Sequence, residues 1–271
     1  MSMAFLSGAT GGLGRSMAVE CASRGWNLFL TDRDGAALEA FAASLRSGWH
    51  VQVECAACDM ADEASRTALL HTMRQRGIRL HFICNIAGVD YEGPFLNQPR
   101  HRILDILKVN VLSTVDMLHS LTDLRDGARP LRIVNVCSLA ALFPMPVKAT
   151  YAASKRLLLD LSLALREELR TVGATVTALC PAGMATNEEC IRGMAVQGFM
   201  GRVTTLQVGR ICAGTVDAAL RGRAVYIPGI ANRTLAAAGA LAPKALVARL
   251  IGWRWRKTNR AVQRMKLAGG G

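Results

Sequence analysis

Short apolar runs alternate with longer amphipathic stretches along most of the chain. The apolar runs predict seven β-strands, at Met3–Leu6, Trp26–Thr31, Val51–Cys55, Leu80–Cys84, Leu131–Cys137, Thr175–Cys180 and Ala224–Ile227. The stretches between them repeat apolar residues at helical spacing. They predict helices from the first glycine-rich loop to about Arg24 and at Gly35–Leu45, Asp62–Arg76, Arg100–Leu121, Thr150–Val172 and Thr205–Leu220. Strands that alternate with helices are typical of βαβ units, so the pattern predicts an α/β fold with a parallel sheet.

The composition fits one large domain with an appendage. The chain has 271 residues, of which 51% are hydrophobic, so a full core can be buried. No uncharged apolar run approaches the ~20 residues that a membrane-spanning helix needs. The first residues lack the basic segment of a secretory signal and run straight into a glycine-rich loop. These observations predict a cytoplasmic protein.

The chain contains eight cysteines, which we expect to be reduced thiols. Cys55 and Cys58 have the C-x-x-C spacing of a redox pair or of half a zinc site. No second C-x-x-C completes a zinc-binding set, and no thioredoxin-like sequence surrounds the pair. We therefore interpret both as small apolar residues near the end of a buried strand, and we predict no metal site.

The excess positive charge lies in the C-terminal tail. The net charge is +13, yet residues 1–217 are nearly balanced, with 22 basic and 20 acidic residues. Residues 218–271 contain no Asp or Glu. Their eleven basic residues are Arg221, Arg223, Arg233, Lys244, Arg249, Arg254, Arg256, Lys257, Arg260, Arg264 and Lys266. Because no nucleic-acid-binding motif accompanies this charge, nucleic acid is not the predicted partner.

An amphipathic helix is predicted within this tail. Leu246, Leu250 and Trp253 recur at i, i+4 and i+7. Three arginines favour another side of the helix: Arg249, Arg256 and Arg260. A basic helix with tryptophans is able to lie on an anionic membrane surface. It is equally able to cover a substrate entrance or a partner subunit, or to present a solvated basic face, and the sequence leaves these interpretations open.

The stretch Ser7–Gly14, SGATGGLG, lies between the first predicted strand and the first predicted helix. Glycines in this position let the backbone turn tightly and approach a pyrophosphate, which the helix N-terminus then binds. The stretch is ambiguous, because it contains one glycine more than the motif needs. Through Gly12 it reads G-x-x-x-G-x-G, and through Gly11 it reads G-x-x-G-x-x-G. Both spacings occur in nucleotide-binding turns, so the loop predicts a dinucleotide cofactor.

Asp32 ends the second predicted strand, 24 residues after Gly8. An acidic residue at this place binds the ribose hydroxyls of NAD and repels the 2′-phosphate of NADP. Arg33 follows directly and is able to receive that phosphate instead. We favour NAD, because Asp32 takes the position at the strand end, and NADP is the alternative.

Tyr151 and Lys155 lie at the start of a long predicted helix. Residues at i and i+4 share a helical face, so the two side chains point the same way. A free tyrosine has a pKa of about 10, and an adjacent ammonium favours the phenolate and lowers that pKa. The pair therefore indicates a general acid/base.

Six short motifs follow one another in order along roughly residues 3–230. They are SGATGGLG with Ser7, CDMAD with Asp59, CNIAG with Asn85–Gly88, KVNVLST with Asn110, IVNVCSLAA with Ser138, and CPAGMAT with Thr186. Ser138 precedes Tyr151 by 13 residues. In these motifs and this spacing the sequence resembles the short-chain dehydrogenase/reductase family. It departs from the family pattern at Ser7, Ile86 and Ala182, which replace a threonine, an asparagine and a glycine.

The resemblance implies a fold and a catalytic mechanism. The fold is a Rossmann-type, doubly wound parallel sheet of about seven strands, in the order 3-2-1-4-5-6-7, with helices on both faces. Tyr151 would transfer a proton to or from the substrate oxygen, and Lys155 would lower its pKa and hold the nicotinamide ribose. Ser138 would bind the same substrate oxygen. Asn110 would hold a water that links Lys155 to solvent.

The resemblance also implies binding residues. Those expected at the cofactor are Gly8, Thr10, Gly12, Leu13, Gly14, Asp32, Arg33, Asp59, Met60, Asn85, Ala87, Gly88, Tyr151, Lys155, Pro181 and Thr186. Those expected at the substrate are Ser138, Phe143, Met145, Tyr151, Met184, Met194 and Phe199. The family spacing also resolves the glycine ambiguity in favour of Gly8, Gly12 and Gly14. Gly11 would then take the site where many NADP-using relatives place a basic residue.

The predicted organisation is a catalytic domain at residues 1–230, with a substrate lid at about 184–204, and a basic helical extension at residues 231–271. The predicted activity is hydride transfer between a nicotinamide cofactor and a hydrophobic secondary alcohol or ketone, resembling a hydroxysteroid or an acyl or polyketide chain. One alternative is an NADPH-dependent 3-ketoacyl or polyketide ketoreductase. Another is a non-catalytic, nucleotide-sensing or membrane-docked scaffold. A homodimer or homotetramer is implied, formed through the helices predicted at Arg100–Leu121 and Thr150–Val172.

Overall fold

A computed structural model describes residues 2–184 and 206–255 of the chain. A seven-stranded, fully parallel sheet forms its centre. The strands are β1 Ser2–Ser7, β2 Leu28–Asp32, β3 Val53–Ala57, β4 Arg79–Asn85, β5 Leu131–Val136, β6 Ala174–Leu179 and β7 Val225–Tyr226. They lie in the order β3-β2-β1-β4-β5-β6-β7, which confirms the predicted topology.

Helices cover both faces of the sheet. They are α1 Gly12–Ser23, α2 Gly35–Trp49, α3 Glu63–Gln75, α4 Arg100–Ile106, α5 Ser113–Thr122, α6 Ala149–Glu168, α7 Val208–Leu220, α8 Ile230–Leu241 and α9 at 244–255. One core cluster lies between the sheet and α1, α2 and α7, and a second lies between the sheet and α3, α5 and α6. The sheet is thus buried on both sides, as its nearly continuous apolar strands require.

Several element boundaries differ from the sequence prediction. β3 begins and ends two residues later than predicted, and its register with β2 pairs Leu28 with Val53 and Asp32 with Ala57. The helix predicted at Arg100–Leu121 is interrupted by a π-helical turn at Leu107–Leu112. The helix predicted at Thr150–Val172 ends at Glu168 and continues as a 3₁₀ turn at Leu169–Val172.

A chain of buried polar side chains crosses from β4 to α6. Asn85 Nδ2 donates to Asn135 Oδ1 at 2.9 Å, and Asn135 Nδ2 donates to Ser162 Oγ at 2.9 Å. Ser162 Oγ in turn donates to the carbonyl oxygen of Leu158 at 2.6 Å. Asn85 and Asn135 are direct partners in the register of β4 and β5. Each of these buried side chains has a hydrogen-bond partner, which avoids the free-energy penalty of an unsatisfied polar group.

The strand order reverses between β1 and β4. The chain runs outward from β1 through β2 to β3 and then returns to place β4 on the other side of β1. In open α/β sheets, ligands bind in the crevice outside the carboxyl ends of the strands at such a switch point.

Among residues 2–184 and 206–255, no helix combines the length and the apolar character needed to cross a bilayer. The same residues hold no cluster of three or more side chains suited to bind a metal ion.

Candidate active site

The glycine-rich loop joins β1 to α1 at this crevice. Gly8 has a φ of 65°, and a Cβ atom there would lie 2.9 Å from the backbone nitrogen of Ala87. A Cβ atom at Gly14 would overlap the carbonyl oxygen of Gly8. At Gly11 the same atom would make an ordinary contact of 3.5 Å to that oxygen. The folded loop therefore requires glycine at positions 8 and 14 and does not require it at position 11.

The N-terminus of α1 is open toward the crevice edge of the sheet. Gly11 is its N-cap, no side chain caps the helix, and the first turn holds no acidic residue. The first N–H groups of a helix have no intrahelical acceptor and, with the helix dipole, favour an anion. Thr10 precedes this turn, Gly12 begins it, and Leu13 is buried beneath it. This geometry is able to bind a phosphate.

Ser7 holds the loop against the end of β4. Its Oγ accepts from the backbone nitrogens of Ile86 at 3.1 Å and Ala87 at 3.2 Å. The sequence prediction noted Ser7 only as a replacement for threonine and did not assign it a contact. Because a serine and a threonine hydroxyl accept the same hydrogen bonds, the replacement leaves this attachment intact.

Asp32 ends β2 beside the loop, and its carboxylate accepts two backbone N–H groups. Oδ2 accepts from the nitrogen of Thr10 at 2.9 Å, and Oδ1 accepts from the nitrogen of Arg33 at 2.7 Å. Arg15 donates from Nε to the carbonyl oxygen of Thr10 at 2.8 Å. Arg15 and Arg33 are both exposed. One carboxylate and two arginines thus lie at the same edge of the loop.

Asp59 and Met60 follow β3, next to the end of β2. The nitrogen of Cys58 donates to the carbonyl oxygen of Asp32 at 2.8 Å, which attaches this segment to the Asp32 turn. Asp59 Oδ1 accepts from the nitrogen of Ala61 at 2.9 Å. Met60 is buried. The structure therefore places the Asp59 segment beside Asp32 at the carboxyl ends of the strands.

Lys155 is a buried cation one turn along α6 from Tyr151. Its Nζ donates to the carbonyl oxygen of Val136, at the end of β5, at 2.8 Å and lies 5.9 Å from the centroid of the Tyr151 ring. Burial lowers the pKa of the Lys155 ammonium, an effect that Cys137 and Asp90 partly oppose. The predicted pairing of Lys155 with Tyr151 on one helical face is thus present.

Asn110 lies at the centre of the π-helical turn and is fully buried. Its Oδ1 accepts from the nitrogen of Val89 at 2.8 Å, and its Nδ2 donates to the carbonyl oxygen of Val89 at 3.0 Å and to Ser154 Oγ at 3.2 Å. A Cβ atom on Gly88 would lie 3.2 Å from Asn110 Oδ1 and 3.3 Å from Lys155 Nζ. The absence of a side chain at Gly88 keeps the space between the amide and the ammonium open.

Ser138 follows β5 and caps a short 3₁₀ turn, Leu139–Leu142. Its Oγ accepts from the nitrogen of Ala140 at 3.1 Å, a bond that uses a lone pair and leaves the hydroxyl hydrogen to donate elsewhere. The nitrogen of Leu139 donates to the carbonyl oxygen of Pro181 at 2.8 Å. The Ser138 turn and the Pro181 segment are therefore held together at the ends of β5 and β6.

The extension packs on this same turn. A side chain at Gly239 of α8 would overlap the ring of Phe143, so that ring lies against the backbone of α8. Lys244 Nζ donates to the carbonyl oxygen of Leu142 at 3.3 Å. Phe143, expected to line the substrate pocket, thus has the extension on one side, and α8 covers the segment that follows Ser138.

Lys148 is a second cation near Tyr151 that the sequence prediction missed. Its Nζ lies 5.6 Å from the centroid of the Tyr151 ring and forms ion pairs with Asp90 at 2.5 Å and Glu92 at 3.6 Å. The preceding Val147 has a φ of 66°, which a β-branched residue rarely adopts. The sequence contained one signal for this contact: Lys148 lies three residues before Tyr151, and residues at i and i+3 are neighbours on a helix.

The remaining predicted substrate residues are only partly described. Met184 forms an isolated parallel bridge with Leu206 and is half-buried against the core. Met145 is half-buried in the segment before α6. Thr186, Met194 and Phe199, with most of the predicted lid, lie outside the described residues.

Comparison with known proteins adds a family match. The chain matches the short chain dehydrogenase family model over residues 2–190. It is 30% identical over 180 residues to a very-long-chain 3-oxoacyl-CoA reductase of Laccaria bicolor, covering 65% of this chain and 53% of that protein. It is 32% identical over 204 residues to hydroxysteroid dehydrogenase-like protein 1 of Gallus gallus, covering 72% of this chain and 60% of that protein. The chain therefore spans little more than half the length of these two relatives.

A solved structure shows the same architecture. The short-chain dehydrogenase from Sphingobium yanoikuyae in complex with NADPH aligns with a TM-score of 0.76 and 28% sequence identity. The alignment covers 89% of this chain and 93% of that protein.

Proposed function

Because the chain belongs to the short chain dehydrogenase family, we propose that it is an NAD(P)-dependent oxidoreductase that interconverts a hydrophobic secondary alcohol and the corresponding ketone. The observation that carries this proposal is the burial of Lys155 one helical turn from Tyr151, with its ammonium at the end of β5. A buried cation beside a tyrosine favours the phenolate, so the tyrosine is able to exchange a proton near neutral pH.

The described residues fit a dinucleotide. The loop at Gly8 and Gly14 has no space for a side chain, and the adjacent N-terminus of α1 is uncapped. A pyrophosphate would bind there, and Asp32 and Asp59 would contact the adenosine half. The nicotinamide half would lie toward Gly88 and Lys155. When bound, the cofactor supplies the hydride acceptor or donor.

The protein's own groups would manage the proton and the substrate oxygen. In ketone reduction, the hydroxyl of Tyr151 gives its proton to the substrate oxygen, and in alcohol oxidation the phenolate accepts it. Ser138 donates a hydrogen bond to the same oxygen, which orients the substrate and stabilises the negative charge that develops there. Lys155 stabilises the phenolate. Asn110 lies beside the open space at Gly88. It would hold a water molecule there that passes protons between Lys155 and solvent.

Replacing Tyr151 by phenylalanine tests the mechanism. Tyr151→Phe removes the exchangeable proton and is expected to lower kcat by at least about 100-fold. NADH or NADPH binding, followed by nicotinamide fluorescence, should stay within about threefold, because the ring is retained. Tyr226→Phe is the matched control and should keep full turnover. A Tyr151→Phe variant with undiminished turnover on an identified ketone would exclude this mechanism and would favour the non-catalytic, nucleotide-sensing alternative.

We favour NAD as the cofactor, since the Asp32 carboxylate lies at the end of β2, where it would meet the ribose. The alternative, an NADPH-dependent 3-ketoacyl or polyketide ketoreductase, is supported by the exposed Arg15 and Arg33 and by the NADPH in the Sphingobium structure. Titration of both reduced cofactors separates the two. Asp32→Asn should weaken NADH binding and strengthen NADPH binding if our preference is correct.

The substrate class is proposed to be large and apolar. The predicted pocket residues Phe143, Met145 and Met184 are apolar, and the two curated relatives are named for very-long-chain acyl and hydroxysteroid compounds. A screen of hydroxysteroids, 3-ketoacyl thioesters and aromatic ketones, followed by absorbance of the reduced nicotinamide, distinguishes the classes. Turnover confined to small polar alcohols would contradict the proposal.

We also propose a homodimer or homotetramer in the cytoplasm. Exposed apolar side chains on the π-helical turn, α5 and α6 support the assembly: Leu107, Leu112, Val115, Leu157 and Leu163. Light scattering after size exclusion tests the proposed assembly, and Leu157→Glu should shift the mass toward a monomer.

The seven cysteines of the described residues are all free thiols, which supports a reducing compartment such as the cytoplasm.

A further inference from the structure

The last described helix turns its apolar stripe away from the protein. Leu246 is 49% exposed, and Leu250 and Trp253 are each 58% exposed. At about 100° per residue, these three side chains fall within about 60° of the helix circumference. Val247 and Gly252, from the opposite side, are the buried residues of this helix. The face with the large apolar side chains is thus the solvent-facing one, the reverse of an ordinary surface helix.

Positive charge borders this stripe. Arg249 and Arg254 lie on its two sides, and both are exposed. Residues 218–271 contain no acidic residue at all, although they contain eleven basic ones. Nearby, α8 exposes Ile230 and Leu241 to solvent, at 73% and 90%. This part of the chain therefore combines several large exposed apolar side chains with charged side chains that are all positive.

This surface is fixed to the candidate active site. Gly239 of α8 packs on the ring of Phe143, and Lys244, at the start of α9, donates to the carbonyl oxygen of Leu142. Both contacts fall on the turn that follows Ser138. Whatever covers the extension is consequently held next to the substrate side of the site.

We propose that α8 and α9 dock the protein on the surface of an anionic lipid bilayer. Leucine and tryptophan side chains flanked by arginines suit the boundary between lipid headgroups and acyl chains. Arginines and lysines near an anionic leaflet each strengthen binding about fivefold, and there is no acidic residue in the extension to oppose them. If the proposed function is correct, docking also keeps the active site beside the bilayer, into which an apolar ketone partitions.

Vesicle sedimentation of the full-length protein tests the proposal. The protein should pellet with vesicles that contain phosphatidylglycerol and stay in solution with pure phosphatidylcholine vesicles. About 0.5 M NaCl should weaken the binding, because salt screens surface charge. The double variant Leu250→Glu/Trp253→Glu should partition more than about tenfold less, and Arg249→Gln about fivefold less. Trp49→Glu, on an exposed tryptophan of α2, is the matched control and should bind like the parent.

Three outcomes would overturn docking: equal pelleting with both vesicle types, unchanged binding of the double variant, or loss of binding in the Trp49→Glu control as well. If the double variant instead reduces the oligomer mass and leaves vesicle binding unchanged, the stripe is a subunit interface. Circular dichroism shows whether each variant is folded. Turnover of a water-soluble ketone without vesicles should be the same for the double variant and the parent, so failure of docking and failure of the proposed enzyme activity are read separately.

Discussion

The glycine-rich loop gives the sharpest test of how the sequence determines the site. A methyl group at Gly14 would overlap the carbonyl oxygen of Gly8 and lie 2.8 Å from its carbonyl carbon and 2.9 Å from Cα of Ala9. All three atoms are backbone atoms, so no side-chain rotation relieves the overlap. An ordinary contact begins at 3.4 Å, and reaching it requires α1 to move away from the loop. We therefore expect Gly14→Ala to be strongly destabilising.

The expected size follows from the packing of α1. Leu13 and Met17 of this helix are buried in the core, so moving the helix disturbs the contacts of the whole face. Overpacking of this kind lowers the free energy of unfolding by about 3 kcal/mol. That loss corresponds to a shift of about 1 M in the urea midpoint. Cofactor affinity should fall by more than about tenfold, because the N-terminus of α1 moves from its place in the loop.

Gly11→Ala is the matched control in the same loop. Its backbone, with φ of −71° and ψ of 162°, is allowed for alanine, and the added methyl group makes an ordinary contact of 3.5 Å. The loss of glycine at an N-cap is partly offset by the smaller entropy of the unfolded chain, so stability should change by less than about 0.5 kcal/mol. Urea unfolding followed by tryptophan fluorescence measures both variants. Equal losses in the two, or a Gly14→Ala variant as stable as the parent, would refute the steric argument.

Three further predictions concern buried or paired charges. Burial lowers the pKa of Lys155, so between that pKa and the ordinary 10.5 the unfolded chain holds more protons and stability rises with pH. The buried thiols, whose pKa values are raised, shift stability in the opposite direction over this range, so the quantity to follow is a difference. In urea titrations from pH 7 to 10, the stability of the parent relative to Lys155→Met should rise with pH. Burial and a hydrogen bond to Glu39 raise the pKa of Cys55 to about 11, so iodoacetamide should label Cys55 about 100-fold more slowly at pH 8 than an ordinary thiol, and Glu39→Gln should speed labelling. Asp116→Asn removes the negative charge paired with Arg66, whose side chain is 9% exposed, and should lower the free energy of unfolding by about 2 kcal/mol.

Matched controls exist for these predictions. Arg156 and Asp160 form an exposed i,i+4 ion pair, and Asp160→Asn should change stability by less than about 0.5 kcal/mol. If Asp160→Asn costs as much as Asp116→Asn, burial is not the reason for the larger effect. A stability difference between the parent and Lys155→Met that stays flat with pH would contradict the lowered pKa of Lys155. Unchanged labelling of Cys55 in Glu39→Gln would show that burial alone slows its reaction.

The strands themselves were predictable because each is a short apolar run between helical stretches, and their order was implied by the resemblance to the short-chain dehydrogenase/reductase family. The relation between Tyr151 and Lys155 was predictable because helical periodicity alone puts residues four apart on one face. The π-helical turn was not, since the apolar pattern of residues 100–121 continues through it without a break. Within this turn, the side chain of Asn110 bonds to the backbone of Val89, a partner that no local pattern records.

The surroundings of the catalytic pair were harder to predict. Lys148 meets Asp90 from 58 positions away, and α8 meets Phe143 from almost one hundred positions away. Such contacts depend on where loops return to the sheet, which hydrophobic periodicity does not specify. The orientation of α9 is a third example. Its apolar stripe was visible in the sequence, but only the packing of Val247 and Gly252 shows that the stripe faces outward.

The polar chain from Asn85 through Asn135 to Ser162 has a consequence for how the protein reaches its fold. β4 and β5 are parallel and about fifty residues apart in sequence, so they must find each other late and without a tight turn to align them. A slip of one residue would reverse the face of the sheet that each side chain occupies. The amides of Asn85 and Asn135 would then lie in the apolar core without their hydrogen-bond partners. Replacing both asparagines by leucine would remove that penalty, and the misaligned sheet would become a competitor of the native one. The chain of amides therefore favours the native register over the slipped one, independently of any ligand.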